Sequence, residues 1–386
     1  MHYPDYKGGS IVNLMASIMA ARGGTASPYP ALALLEPYPL THVTNLILIV
    51  IDGLGYAYLN RKGRQSALRR HLKGRITTVF PTTTASAITT FLTGTAPQQH
   101  ALTGWFVYFK ELDRVATVLP FTDRRNGTSL AQAGIDAAGL FKHVPVFDRL
   151  TMPSYVVVSN RIAFSAFNLT HRGNATIRPY PSLSKFYKTI ERIVHETNQP
   201  KYIYAYWSEL DRIAHEHGIA SNAATAHFAE LDAAFDAFLT RLKGTDTTVI
   251  VTADHGMIDS NSTSLTELDK QSELVTMLAQ PLCGERRAAY CYVNESQRHR
   301  FEAYIAAHLS NRAWLFKSED LITQGLFGTG QPHPHLKERI GDYTLIMKEN
   351  YTIKDWLPGE HRHSHIGTHG GLSREELYVP LIVASV

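Results

Sequence analysis

The chain has 386 residues, 38 basic and 34 acidic, for a formal net charge of +4, and 44% of it is hydrophobic against 19% charged. This is the balance of a folded globular protein, large enough for one big α/β domain with an insertion or for two domains, and it excludes an intrinsically disordered chain. No block of about five like charges appears, so charge gives no support to binding a nucleic-acid duplex, and no apolar stretch reaches about 18 residues, so no membrane span is expected.

In chain order, 10–24 ("SIVNLMASIMAARGG") reads as an amphipathic helix stopped by Gly23 and Gly24 rather than as a signal peptide, and the expectation is a cytoplasmic protein. "NLILIVID" (45–52), "SYVVVSN" (154–160), "KYIYAYW" (201–207) and "TTVIVTAD" (247–254) are continuous β-branched and aromatic runs, the pattern of strands covered on both faces. Between the last two, 222–244 repeats apolar residues at helical spacing (Phe228, Leu231, Phe235, Phe238, Leu239) before a Gly stop. From 266 to 350 the texture changes to short strands (288–294, 313–316, 341–349), a helix (296–311) and a Gly/Pro/His-rich loop (325–341). "LYVPLIVAS" (377–385) reads as a last strand of the main sheet. The expected fold is α/β, a doubly wound, mostly parallel sheet formed by 1–265 and 351–386, with a small α+β insertion, 266–350, as a cap. The two cysteines, Cys283 and Cys291, lack metal spacing and are expected as buried free thiols.

Three of the strands end in, or are soon followed by, an acid: Asp52 in "VIDGLG", Asp211 in "WSELDRIAHEHG" and Asp254 in "TADHG". In open α/β sheets ligands bind outside the carboxyl ends of the strands, so these carboxylates are expected to converge in one crevice, where a bound cation would offset their repulsion. Histidine, with 19 copies, is the residue in excess. His215 follows Asp211 by one helical turn, His255 adjoins Asp254, and His369 sits in "THGG". Three acids and three histidines are enough for two divalent-metal sites of about three protein ligands each. His217, His361, His363 and His365 are read as non-ligands, with His365 the alternate.

"VFPTTTASAITTFLTG" (79–94) places Thr82, Thr83 and Thr84 before a helical pattern. A threonine there caps a helix whose N-terminus attracts anions such as phosphate, and a hydroxyl so placed beside a metal is also a nucleophile. Cap and nucleophile are compatible roles, and the residues alone do not choose among the three.

Taken together, "VIDGLG", "FPTTTASAITTFLTGTAPQQHALTG", "ELDRIAHEHG", "VTADHGM" and "GTHGGLSREELYVPLIV" resemble the alkaline phosphatase superfamily, and within it the type I phosphodiesterases and nucleotide pyrophosphatases. The resemblance implies a two-metal hydrolase of phosphate esters with a phosphothreonine intermediate. It implies Thr84 as nucleophile and as a metal ligand, Asp211, His215 and His369 around one cation, and Asp52, Asp254 and His255 around the other. The cations are expected to be zinc, with manganese or iron as alternatives, and the partner a small phosphorylated molecule. Phosphomonoesterase, phosphonate hydrolase and non-catalytic metal-stabilised binding protein are the competing readings. Nucleotide-cleaving relatives are expected to carry Phe where this chain has Ala85 and Asn where it has Ala87, which leaves the groups holding the substrate unidentified. Trp105, Phe106 and Tyr108 are read as core aromatics, and Arg124 and Arg125 as a solvated turn.

Overall fold

The computed structural model describes residues 1–38, 40–360, 362 and 365–386, so His361 and His363 lie outside the described residues. The long apolar runs pair into one seven-stranded sheet in the order Leu72–Thr77, Tyr378–Ser385, Thr247–Thr252, Asn45–Ile51, Lys201–Trp207, Ser154–Ser159, Thr176–Tyr180. The last five are mutually parallel, whereas Tyr378–Ser385 runs antiparallel to both of its neighbours. The central strand Asn45–Ile51 is buried along its whole length, as its unbroken Ile/Leu/Val run requires. Its register sets Ile51 beside Trp207 and Val50 beside Thr252, so the three strands that precede the acids end at one level.

Two helices depart from a simple amphipathic pattern. Helix Ile11–Ala21 is buried from Ile11 to Met19, not on one face only, because it packs against helix Thr84–Thr93, which is itself buried throughout. The hydroxyls of that second helix are satisfied locally. Thr89 donates to the Ala85 carbonyl at 2.7 Å, Thr93 to that of Thr89 at 2.7 Å, and Thr90 meets His100 Nε2 at 3.2 Å. Two of these three threonines thus bond to the backbone of their own buried helix.

A second, antiparallel sheet of seven strands covers the carboxyl ends of the first. Ala313–Lys317, Tyr343–Met347, Ala288–Cys291 and Cys283–Gly284 come from the segment expected as an insertion, and Phe106–Phe109, Arg114–Thr117 and Thr122–Asp123 come from well before it. The chain enters this sheet at Gly104, where an added Cβ would lie 2.5 Å from Gly284 Cα. Cys283 and Cys291 are buried free thiols within it. The loop expected at 325–341 contains one short helix, Leu336–Arg339. Among the described residues no helix is long and apolar enough to cross a membrane.

One buried ion pair ties the second sheet to the short helix Arg374–Leu377 before the last strand. Arg287 Nε and Nη2 each donate to a Glu376 oxygen at 2.9 Å, and Glu376 Oε1 also accepts the Gly371 N–H at 2.8 Å. Removing one partner strands a buried charge, so Glu376→Ala is expected to cost roughly 3–5 kcal/mol. Urea unfolding of the variant checks this, and a loss under about 1 kcal/mol would show the pair to be solvated.

Candidate metal and phosphate site

Asp52 follows the central strand directly, Asp254 follows Thr247–Thr252, and Asp211 lies in the first turn of helix Glu209–His217, just after Lys201–Trp207. Between Asp52 and the next helix the chain turns at Gly53 (φ 76°), where a Cβ would lie 3.3 Å from Asp211 Cα. A side chain there would push the acids apart. His369 follows the short strand Gly367–Thr368, which pairs with Ile258–Asp259 just beyond His255.

Each histidine is held through Nδ1. His215 meets the Gly367 carbonyl at 2.8 Å, His255 that of Gly256 at 3.1 Å, and His369 that of Thr82 at 3.1 Å. Carbonyls only accept, so Nδ1 carries a proton in each ring, and the neutral form of such a ring presents its lone pair on Nε2. Those three nitrogens point into the acid cluster. His255 Nε2 lies 3.4 Å from Asp52 Oδ1 and 3.5 Å from Asp254 Oδ2, His215 Nε2 lies 3.2 Å from Asp211 Oδ2, and His369 Nε2 lies 3.9 Å from Asp211 Oδ1.

Three buried carboxylate oxygens, Asp52 Oδ1, Asp211 Oδ1 and Asp254 Oδ2, have no hydrogen-bond donor. Their partner oxygens are better supplied: Tyr206 donates to Asp52 Oδ2, and the N–H groups of Gly53 and His255 donate to Asp254 Oδ1 at 3.2 and 2.9 Å. Buried orphan acceptors beside free imidazole lone pairs are the donor set of a divalent cation, and the residues present fit one. Ligand atoms of Asp52, Asp254 and His255 lie within 4.8 Å of one another, as do those of Asp211, His255 and His369. His215 reaches the second group through the other oxygen of Asp211.

The protonation pattern follows from the same crowding. Burial, then the charges of Asp254 and Asp211, push the Asp52 carboxyl well above the usual carboxylate range. Burial also works to raise Asp211, but His215 and His369 hold it below that range. Burial, reinforced by His255, keeps His369 neutral well below the ordinary imidazole value.

Of the three adjacent threonines, each hydroxyl has a separate partner. Thr82 donates to the Gly371 carbonyl at 2.9 Å, and Thr83 to Glu285 Oε1 at 2.6 Å. Thr84 is the first residue of helix Thr84–Thr93, lines the cleft, and lies 3.1 Å from His255 Nε2. The cap position itself falls on Thr83, whose side chain makes no cap bond. Ala85 and Ala87 do not line the cleft; both pack in the main hydrophobic core.

The wall facing the acids comes mostly from the second sheet and its connections. The cleft, of about 240 Å³, is lined by Thr84, Asp211, His215 and His369 on one side and by Trp105, Phe106, Glu285, Arg286 and Lys354 on the other. Trp105 and Phe106, read from the sequence as core, face this cleft, whereas Tyr108 stacks edge-on against Tyr292 away from it. Arg124, read as part of a solvated turn, is buried against Asp355 (2.6 Å) and Glu360 (2.9 Å), because an apolar sheet face covers it and only ion pairs can hold it there; Arg125 is exposed. His365 lines the cleft with its ring centroid 4.3 Å from that of His215, while His217 is exposed on the far side of its helix. Glu285 gave no signal in the sequence. It accepts from Thr83 and from the Trp105 N–H at 2.7 Å, joining the start of the Thr84 helix to the second sheet.

A sequence profile of the family "Type I phosphodiesterase / nucleotide pyrophosphatase" matches residues 46–372. The chain belongs to this family. Among solved structures it is similar to murine ectonucleotide pyrophosphatase / phosphodiesterase 5, with TM-score 0.65 and 16% identity over 87% of both chains. The human form of that protein aligns with TM-score 0.64 and 16% identity over 88% of this chain and 87% of that one. Phosphonoacetate hydrolase from Sinorhizobium meliloti 1021 aligns with TM-score 0.63 and 18% identity over 87% of this chain and 89% of that one. At such identity the likeness is one of fold, and it matches the mixed α/β architecture described above. No curated protein matches the sequence significantly.

The raised Asp52 has a consequence for stability. A carboxyl whose folded value exceeds its unfolded one stabilises the fold at low pH, and that contribution is lost as pH rises through the raised value. Chelator-treated protein is therefore expected to melt lower at pH 8 than at pH 5.5, and Asp52→Asn to melt higher than the parent at pH 8. Zinc should raise the melting temperature of the parent by several degrees, since saturation at a hundredfold the Kd contributes about 2.7 kcal/mol per site, and should raise that of Asp52→Asn by less, through the second site alone. Calorimetric scans check all three, and a zinc effect of equal size in both proteins would remove Asp52 from the metal site.

Proposed function

We propose that the protein is a two-metal hydrolase of phosphate esters, acting on phosphodiesters or pyrophosphate-linked compounds through a phosphothreonine intermediate on Thr84. The observation that carries this reading is the position of the Thr84 hydroxyl: first residue of a buried helix, facing the cleft, 3.1 Å from His255 Nε2 and beside the orphan carboxylate oxygens. The family match and the fold support it, as does a relative's structure: an inactive threonine-to-alanine variant of murine ectonucleotide pyrophosphatase / phosphodiesterase 5 is complexed with AMP.

In this reading, two divalent cations, zinc by preference for the mixed imidazole and carboxylate donors, supply positive charge against the phosphoryl oxygens when bound. Asp52, Asp254, His255 and Thr84 would hold one, and Asp211, His215 and His369 the other. The first N–H groups of helix Thr84–Thr93 lack intrahelical acceptors and face the same space, where they donate to a phosphoryl oxygen. Thr84 Oγ forms the new bond to phosphorus as the bond to the leaving alcohol breaks, and the threonine proton ends on that alcohol. Water then forms a bond to phosphorus, the Thr84–phosphorus bond breaks, and Thr84 recovers a proton. The three Nδ1–carbonyl bonds keep the imidazoles from rotating during both steps.

The test compares bis-p-nitrophenyl phosphate with p-nitrophenyl phosphate on zinc-loaded protein. The diester is expected to turn over faster, and equal or faster monoester turnover would rule out the diesterase reading. Thr84→Ala should lower kcat by roughly a thousandfold with zinc stoichiometry unchanged, while Thr82→Ser and Thr83→Ser should cost no more than about tenfold. Full activity in Thr84→Ala would leave only a metal-stabilised binding protein.

A further inference from the structure

One hydroxyl reaches the acid cluster from outside the set of ligand-type residues. Strand Lys201–Trp207 turns Tyr202, Tyr204 and Tyr206 to one face, because side chains alternate along a strand. All three are buried. The hydroxyls of Tyr202 and Tyr204 have no hydrogen-bond partner, whereas that of Tyr206 donates to Asp52 Oδ2. Register explains the difference: Tyr206 lies beside Val50, near the end of the central strand, and Asp52 follows two residues later. The main chain of Tyr206 is itself fixed, its carbonyl accepting the Tyr180 hydroxyl at 2.7 Å. Asp254 has its Oδ1 held by two main-chain N–H groups, those of Gly53 and His255. Asp52 depends on a side chain for the same restraint, and its Oδ1, without a donor, lies 3.4 Å from His255 Nε2.

We propose that Tyr206 is a positioning residue of the metal centre: its hydroxyl fixes the Asp52 carboxylate so that Oδ1 alone is turned toward the cation shared with Asp254, His255 and Thr84. The proposal rests on reading these residues as a cation site and adds the group that aligns one of its ligands. The carboxylate torsion of an aspartate is soft, so without a partner Asp52 would turn and offer either oxygen or both. A charge-assisted bond to Oδ2 removes that freedom before a cation arrives. Groups that hold a ligating carboxylate from behind typically add about 10–100-fold to metal affinity. Tyr206 does not line the cleft, so it acts through Asp52 and not on the substrate.

The test is titration of metal-free protein with zinc against a competing chelator, for the parent, Tyr206→Phe and Tyr204→Phe. The second variant is the control, since it removes from the same strand face a buried hydroxyl that bonds to nothing. The parent is expected to take up two zinc ions. Tyr206→Phe should weaken one of the two by about 10–100-fold and leave the other within about twofold, and Tyr204→Phe should leave both within about twofold. In an Asp52→Asn background Tyr206→Phe should have no further effect, because the two residues act as one unit. Unchanged zinc binding in Tyr206→Phe, an equal loss in Tyr204→Phe, or losses that add to those of Asp52→Asn would each overturn the assignment. So would a Tyr206→Phe protein that does not fold where Tyr204→Phe does, since the hydroxyl would then hold the fold and not the ligand. A parent that takes up no zinc overturns the cation site itself, and the assignment with it. No substrate enters the titration, so failure of the hydrolase reading appears separately, as absent release of p-nitrophenol.

Discussion

Three carboxylates held together away from water are the constraint around which this molecule is organised. Asp52 and Asp254 are almost fully buried and Asp211 nearly so, and each keeps one oxygen without a donor. An isolated fold would relieve this by separating the acids or admitting water. Here the parallel register of three adjacent strands prevents separation, and the close approach of Gly53 to Asp211 prevents a bulkier spacer. The repulsion is kept in the scaffold and shows in the raised Asp52 carboxyl, and in the proposed reading bound cations would offset it.

The histidines are arranged to the same end. Each is tethered by Nδ1 to a backbone carbonyl, two of them in segments that also pair as strands or contact the threonine segment. The tether fixes the tautomer, and burial keeps His369 uncharged. Imidazole nitrogens and carboxylate oxygens then face the same volume. The Thr84 hydroxyl enters it from the start of a helix, where partial positive charge and N–H groups favour a phosphoryl oxygen.

The second sheet does a different job. It carries no acid of the central cluster, yet it forms one wall of the cleft and brings Trp105, Phe106, Glu285 and Arg286 to within reach of whatever occupies it. Glu285 connects the two layers through Thr83 and Trp105, so the wall and the start of the Thr84 helix are set by one carboxylate. In the proposed reading, strand ends of the first sheet would face the reacting phosphorus, and the second sheet would form the opposite side of the cleft. This is why Ala85 and Ala87, buried in the first layer, say little about specificity.

What the sequence determined by itself is local or periodic. Continuous apolar runs mark buried strands, an acid after such a run lies at the carboxyl end of its strand, and Asp211 and His215 share a helical face because four residues make about one turn. Order along the chain then places all six ligand-type residues without knowledge of distances. The tertiary structure alone decided which hydroxyl of "TTT" faces the cleft, since Thr82 and Thr83 are taken by partners 289 and 202 residues away. It alone turned Trp105 and Phe106 toward the cleft and buried Arg124 against carboxylates 231 and 236 residues distant. Strand composition is the same for a core face and a cleft face, and an arginine in a turn looks solvated until a distant sheet covers it. Such choices are made by long-range packing, which leaves no period in the sequence.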